Sequence, residues 1–264
     1  MSLGIGIKGS EGIVLAAESR VTFPINIGTP TATNIHYDNA TKLLSFKEPH
    51  NYIGAITYGL ATIGQRTAHS FLPEFEAQLP KKRLPVEEFA KKFSDFYMQQ
   101  WSAQKNIPNP YNGTPMVFEI AGFDENEPYG KICEVLIPHN PQPRTIIDND
   151  SFNITWGGQR DLVDRMIQGI DTSFLEEIKT DLNLTSDQKK KLDALIPKYG
   201  MQLPINAMAL QDCVDLAILL IRNTIDTQKL IAGLRGCGGA IDVAIITRRD
   251  GLQYVQKKKI TGEK

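Results

Sequence analysis

The residue with the most chemistry for its position is Ser2. A small second residue permits removal of Met1, which would leave a serine carrying both a free α-amine and a hydroxyl. An α-amine has an ordinary pKa of about 7.7–8.0, so near neutrality part of it is unprotonated and can take the hydroxyl proton. One residue then supplies nucleophile and base. A Met-Ser start is common, however, and carries no chemistry by itself. The other reactive side chains are dispersed. Cys133, Cys213 and Cys237 form an odd, widely spaced set without a CxxC pair, which fits reduced thiols better than a disulfide framework or structural zinc. His36, His50, His69 and His139 lack the spacing of a metal pair on a helix and read as surface or loop residues. No metal or organic cofactor is expected.

Positioning Ser2 requires an ordered strand at the very start of the chain. Leu3 to Lys8 and Gly12 to Thr22 are apolar runs around Gly9-Ser10-Glu11-Gly12, the pattern of a β-hairpin. A polar stretch from Phe23 to Thr41, with Pro24, Gly28 and Pro30, reads as a loop with some extended backbone. Lys42 to Phe46 and Tyr52 to Tyr58 predict a second strand pair. Residues 61–79 have near-helical spacing, with Pro73 ending or kinking the helix. Val86, Phe89, Ala90, Phe93, Phe96, Tyr97 and Trp101 recur at three and four, which predicts an amphipathic helix over 85–104 with Pro85 in its first turn.

Strands return at 115–124 and 131–137 as another hairpin, then at 151–156, followed by a Gly157-Gly158 turn and a helix over 159–170 continuing toward Ile178. The segment 181–206 differs in composition. Thr185-Ser186-Asp187-Gln188 has capping-box spacing and precedes a lysine-rich helix, so this segment reads as a helical insertion in a single domain spanning 1–264. A long helix over 208–230, with Cys213, Leu216, Ala217, Leu220 and Ile221 inward, leads to a final hairpin of 241–247 and 252–255. Contiguous hairpins with two sets of helices predict an α+β fold, a four-layer αββα sandwich of two antiparallel sheets.

The chain has 264 residues, and 29 basic against 30 acidic side chains give a formal net charge of −1. That balance provides no field to recruit nucleic acid or an anionic membrane. No apolar run approaches the roughly 20 residues a membrane helix needs, and no signal peptide is visible, so a cytoplasmic location is expected.

These elements and motifs together resemble a proteasome β-type subunit, of the N-terminal nucleophile hydrolases. The resemblance is carried by Ser2 to Lys8, Gly12 to Thr22, Lys42-Leu43, and Gly238-Gly239-Ala240-Ile241-Asp242-Val243 through Gly251. It implies a peptidase or amidohydrolase in which Ser2 takes the place of the family's threonine and forms an acyl-enzyme resolved by water, or by an amine. It also implies a buried pair of Glu18 and Lys42 beside the nucleophile. A cation there disfavours the protonated amine, and a carboxylate holds that cation and offsets its burial.

By the same resemblance Gly59 supplies an oxyanion N–H, Arg20 supports the site, and Thr22 binds the substrate backbone. Val21, Thr57 and Ala61 surround a small-to-medium, mostly apolar pocket, and Gly157 and Gly158 fall in the supporting turn. The implied partners are a peptide or protein substrate and further copies of the chain, in a ring or related homo-oligomer. Non-catalytic, structural members of such assemblies are the alternative.

Two positions depart from the family pattern. Gly157 stands where serine is common, and Leu234-Arg235-Gly236-Cys237 where an Asp-x-x-Ser segment is usual. Two hydroxyls and a carboxylate around the terminal amine are therefore missing or displaced, with Asp226 as a candidate replacement or simply a solvated helical residue. Serine also lacks the methyl that restricts the rotamer of threonine. With only Met1 ahead of Ser2, activation is expected to need an aminopeptidase, not self-cleavage.

Overall fold

Strands whose central members are buried at nearly every position build two sheets. The computed structural model describes residues 2–25, 33–105, 108, 110–233 and 235–262; Met1, Leu234 and the middle of the 23–41 stretch lie outside them. The strands are β1 (Leu3–Lys8), β2 (Ile13–Glu18), β3 (Val21–Ile25), β4 (Thr33–Tyr37), β5 (Leu43–Ser45), β6 (Ile53–Gly59), β7 (Thr62–Ile63), β8 (Arg66–Thr67), β9 (Met116–Gly122), β10 (Lys131–Ile137), β11 (Asn140–Ile147), β12 (Asn153–Gly158), β13 (Ile241–Thr247) and β14 (Gly251–Gln256). The helices are α1 (Leu72–Glu76), α2 (Val86–Ser102), α3 (Asp161–Ile167), α4 (Thr172–Asp181), α5 (Ser186–Asp193), α6 (Ile196–Tyr199) and α7 (Leu210–Leu230).

One sheet has the order β12-β1-β2-β13-β14 and the other β11-β10-β9-β6-β5, with antiparallel pairing throughout. Between them lies an aliphatic layer that includes Leu15, Leu43, Ile56, Ala121, Ile132, Ala244 and Ile246. Helix α7 covers β1, β2 and β13, and α2 covers β9, β10 and β11. These four layers are the αββα sandwich, formed within one compact unit of residues 1–158 and 205–264.

The α2 layer is aromatic. Phe93 meets Phe46, Phe75, Phe89, Tyr97 and Phe118 at centroid separations of 4.6–6.3 Å, mostly edge to face. The aromatic stripe of this helix is therefore core packing. The three cysteines are buried, and none forms a disulfide among the described residues.

Residues 159–204 form a second compact unit, made of α3 to α6. Its Asp164 carboxyl is buried and accepts from Arg160 Nε and Thr172 Oγ1. Asp171 caps α4 through Ser173 N–H, and Thr185 with Gln188 makes a complete capping box for α5.

Several elements differ from the sequence expectation, each for a local reason. The second strand stops at Glu18, and Val21–Ile25 leaves to pair with Thr33–Tyr37 as a separate ribbon. Residues 62–67 are a short ribbon, not helix, and Pro73 starts α1 instead of ending it, because its missing N–H is no loss in a first turn. Pro85 is the N-cap of α2.

Strand β11 contains Pro141 and Pro143, which disguise it in sequence; it is tolerated because it is an edge strand. Gly157 and Gly158 are strand residues paired with Gly4 and Leu3, not a turn. The helix expected from 159 breaks at Gln168 and resumes at Thr172. His50 is buried, packed on the Phe89 ring, and its burial pushes its pKa down.

Truncating the centre of the aromatic layer removes contacts that no neighbour can replace. Phe93→Ala is expected to cost about 3–5 kcal/mol of unfolding free energy in urea titration; a loss below about 1 kcal/mol would show that α2 contributes little to the fold.

Candidate active site

Ser2, Glu18 and Lys42 come together at one end of the sandwich because β1 and β2 are a tight hairpin and β5 lies in the facing sheet. All three are buried, at 5%, 1% and 5% exposure. The Lys42 Nζ donates to Ser2 Oγ at 2.8 Å, and it also binds Glu18 Oε1 and the Arg20 carbonyl. Each of its three protons therefore has an acceptor.

Glu18 in turn is held on every side. Its Oε1 accepts from Leu3 N–H at 3.3 Å, and its Oε2 from Arg20 N–H at 2.7 Å and Gly238 N–H at 3.0 Å. Burial pushes the Lys42 ammonium below the ordinary lysine range, and the adjacent Glu18 works against that shift.

The segment after α7 closes the site from the far end of the sequence. Ser19 N–H donates to the Gly238 carbonyl and Ser19 Oγ to the Ala240 carbonyl. The buried Cys237 donates its N–H to Gln228 Oε1 at 2.9 Å. Asp226 is on the exposed face of α7, paired with Lys229 at 2.8 Å, so the described structure does not bring it to Ser2.

A small cavity of ≈ 20 Å³, room for about one water, is lined by Ser2, Val21, Lys42, Thr57, Tyr58, Gly59 and Ala61 among others. The Thr57 hydroxyl is buried and has no hydrogen-bond partner among the described residues. Gly59 has φ +85°, a backbone conformation suited to glycine, and a Cβ there would overlap the Pro115 carbonyl. Gly158, at φ +93°, likewise admits no side chain, since a Cβ would overlap the Ser2 carbonyl.

Arg20 makes a two-pronged contact with Asp38, at 2.6 and 2.7 Å, and also reaches the Arg235 carbonyl. Thr22 is outside the set that lines the cavity; its hydroxyl is 3.0 Å from His36 Nδ1.

Tyr58, which lines the same cavity, belongs to a second polar group. Tyr58 donates its hydroxyl to Glu119 Oε1 at 2.9 Å, and Thr155 donates to the same oxygen at 3.1 Å. Glu119 is fully buried, and desolvation pushes its carboxyl up to about 7, although both hydroxyls oppose the shift. A Cβ at Gly157 would overlap the Tyr58 phenol, so the space beside this glycine is filled by a tyrosine from the other sheet. None of these three residues belongs to the set expected from sequence. The signals that mark them are a lone carboxylate in the apolar run Met116-Val117-Phe118-Glu119-Ile120 and the alternate glycines Gly4 and Gly6.

No group of three or more histidine, cysteine, aspartate or glutamate residues among the described residues could hold a metal ion. No helix among them is long and apolar enough to cross a membrane. The fold class thus defined is an αββα sandwich with a buried serine, lysine and glutamate cluster at the start of its first strand.

No family model matches the chain, and no match is found among curated proteins. The chain is similar to the solved structure of a mutant of Anbu from Hyphomicrobium sp. strain MC1. The TM-score is 0.58 and the identity 14%, over 100% of this chain and 89% of that one. The likeness shows a proteasome-like fold.

Removing either half of the ion pair should expose its cost. Lys42→Met leaves Glu18 buried without its cation and is expected to lose about 3–5 kcal/mol in urea unfolding. Glu18→Leu should lose more, since three backbone N–H groups also lose their acceptor. Equal losses, or losses under about 1 kcal/mol, would refute a buried pair.

The raised carboxyl also fixes a pH dependence. Its proton is bound more tightly folded than unfolded, so Glu119 costs nothing below its ordinary pKa of 4.5, and a cost builds as pH rises to about 7. Relative to Glu119→Gln, the native protein is expected to lose on the order of 3 kcal/mol between pH 4.5 and 8. Parallel stability curves for the two proteins would contradict this.

Proposed function

We propose that the protein is a proteasome-like N-terminal nucleophile amidohydrolase whose nucleophile is Ser2. The observation that carries this reading is the Lys42 Nζ, held by Glu18 and placed 2.8 Å from Ser2 Oγ in a buried cluster. Once cleavage before Ser2 frees its α-amine, that amine takes the Oγ proton while Oγ attacks an amide or peptide carbonyl. The positive field of Lys42 keeps the amine unprotonated at the start, and the ammonium donates the proton to the leaving amine. Water then hydrolyses the ester by the reverse proton path. Gly59 is proposed to present its N–H to the carbonyl oxygen, and Val21, Thr57 and Ala61 to contact the side chain before the cleaved bond. The cavity of ≈ 20 Å³ fits a small side chain there.

The substrate class is peptide or protein, and the active form is proposed to be a homo-oligomer of the β-type arrangement, in the cytoplasm. No cofactor takes part. The same small cavity, together with the loss of hydroxyls at 157 and 237, favours a second reading, a non-catalytic β-type subunit with a structural role.

The two readings separate in one experiment. Intact-mass measurement should show a chain that starts at Ser2, and an acylating β-lactone probe should add to that residue. Ser2→Ala should abolish the adduct, and Lys42→Ala should slow peptide hydrolysis by about 10²- to 10⁴-fold. Retention of Met1, or an adduct that survives Ser2→Ala, would leave only the structural reading standing.

A further inference from the structure

Among the described residues, the buried charged side chains are nearly all fully engaged. Lys8 donates to the carbonyls of Asp148, Asn149 and Ser151; Glu18 has Lys42 and three backbone donors; Asp164 has Arg160 and Thr172; Asp242 has the backbone and side-chain nitrogens of Lys258. Glu119 differs. Its Oε1 accepts from two hydroxyls, but its Oε2 is buried with no hydrogen-bond partner among the described residues. A half-satisfied carboxyl in the interior is costly and is not needed to fill space, since an apolar residue would do that at lower cost.

The surroundings are shaped to admit it. Gly6 on β1 faces Glu119, and a Cβ at Gly6 would lie 3.0 Å from Oε2. Gly4, two residues nearer Ser2, leaves room for the Tyr58 ring, which would be 2.8 Å from a Cβ there. Gly157 leaves room for the phenol on the other side. Three glycines on β1 and β12 thus open a slot in which Tyr58 runs from the Glu119 carboxyl to the wall of the cavity that holds Ser2.

We propose that Glu119 is a positioning residue for Ser2, acting through Tyr58: its carboxyl fixes the phenol against Gly4 and Gly157, and its negative charge stabilises the ammonium formed when the α-amine takes the Ser2 proton. This rests on the amidohydrolase reading above. The reaction itself is unchanged, with the proton moving from Oγ to the amine, and Glu119 exchanges no proton with substrate. Charge at Glu119 favours the charged intermediate over the neutral starting pair, so reactivity at Ser2 rises as Glu119 ionises.

The other groups that face Glu119 do not supply this effect. Glu134, opposite it on β10, is paired with Arg144 at 2.8 Å and disfavours the Glu119 charge. Thr155 on β12 and Tyr58 on β6 are hydroxyl donors. On β1, Lys8 is committed to three carbonyls, and on β2 Glu18 is committed to Lys42.

The test uses the full chain in two measurements. In protein labelled with carboxyl-¹³C glutamate, one resonance, absent from Glu119→Gln, should titrate near pH 7. Its midpoint should move up in Tyr58→Phe, because a donor to the charged form is lost. Rates of Ser2 acylation by the β-lactone should rise through the same pH range. In Glu119→Gln only the rise from deprotonation of the α-amine itself should remain, with a rate about tenfold below the native protein at pH 8.

A Glu119 midpoint below pH 5.5, or one unmoved by Tyr58→Phe, overturns the pair whether or not Ser2 reacts. A folded Glu119→Gln protein with the native acylation profile overturns the coupling to Ser2. Absence of acylation at every pH, with the Glu119 titration intact, overturns the hydrolase reading and the coupling with it.

Discussion

The structure depends on one buried ion pair between the two sheets. Lys42 and Glu18 are almost without solvent, and charges so placed are tolerated only when every proton and lone pair is met. Here Lys42 binds Ser2, Glu18 and the Arg20 carbonyl, while Glu18 gathers N–H groups from Leu3, Arg20 and Gly238. Those partners belong to the start of β1, the end of β2, the approach to β5 and the loop before β13. Satisfying one carboxylate therefore fixes the relative positions of both sheets at this end of the sandwich, and it fixes Ser2 as well. Fold stability and the candidate site share the same atoms.

The second polar group shows how two packed sheets can hold buried polar side chains between them. Sheets packed face to face normally interdigitate apolar side chains. Glycines at positions 4, 6 and 157 interrupt that layer, and Tyr58, Glu119 and Thr155 occupy the space. The phenol reaches from β6 to the place a side chain on β12 would fill. The space beside a glycine of one sheet is taken by a hydroxyl from the other, a contact between residues far apart in sequence.

Much of the fold was legible in the residues. Apolar runs bounded by turn residues marked most strands of the two sheets, and the three-and-four spacing of Phe89, Phe93, Phe96 and Tyr97 marked α2. The hidden elements were those in which local chemistry misleads. Pro141 and Pro143 conceal β11 because an edge strand tolerates what a central strand does not, and Pro73 reads as a terminator when it opens a helix. At the site, Ser2 stood out by its position, Glu18 and Lys42 followed from the resemblance, and the structure places the three together. Tyr58 and Glu119 did not follow, because their meeting depends on a sheet-to-sheet contact that no spacing encodes. Only the isolated charge in β9 and the paired glycines of β1 pointed to it.

The bond from Gly238 N–H to Glu18 joins residues 220 positions apart. Contacts of such separation carry the largest loop-closure cost and form late. A chain emerging residue by residue can pair β1 with β2 at once, yet Glu18 stays short of an acceptor's full complement until β13 has been made and slotted beside β2. The cluster around Ser2 is thus completed only when nearly the whole polypeptide has folded. A nascent or truncated chain therefore carries Ser2 without the full set of donors around Glu18.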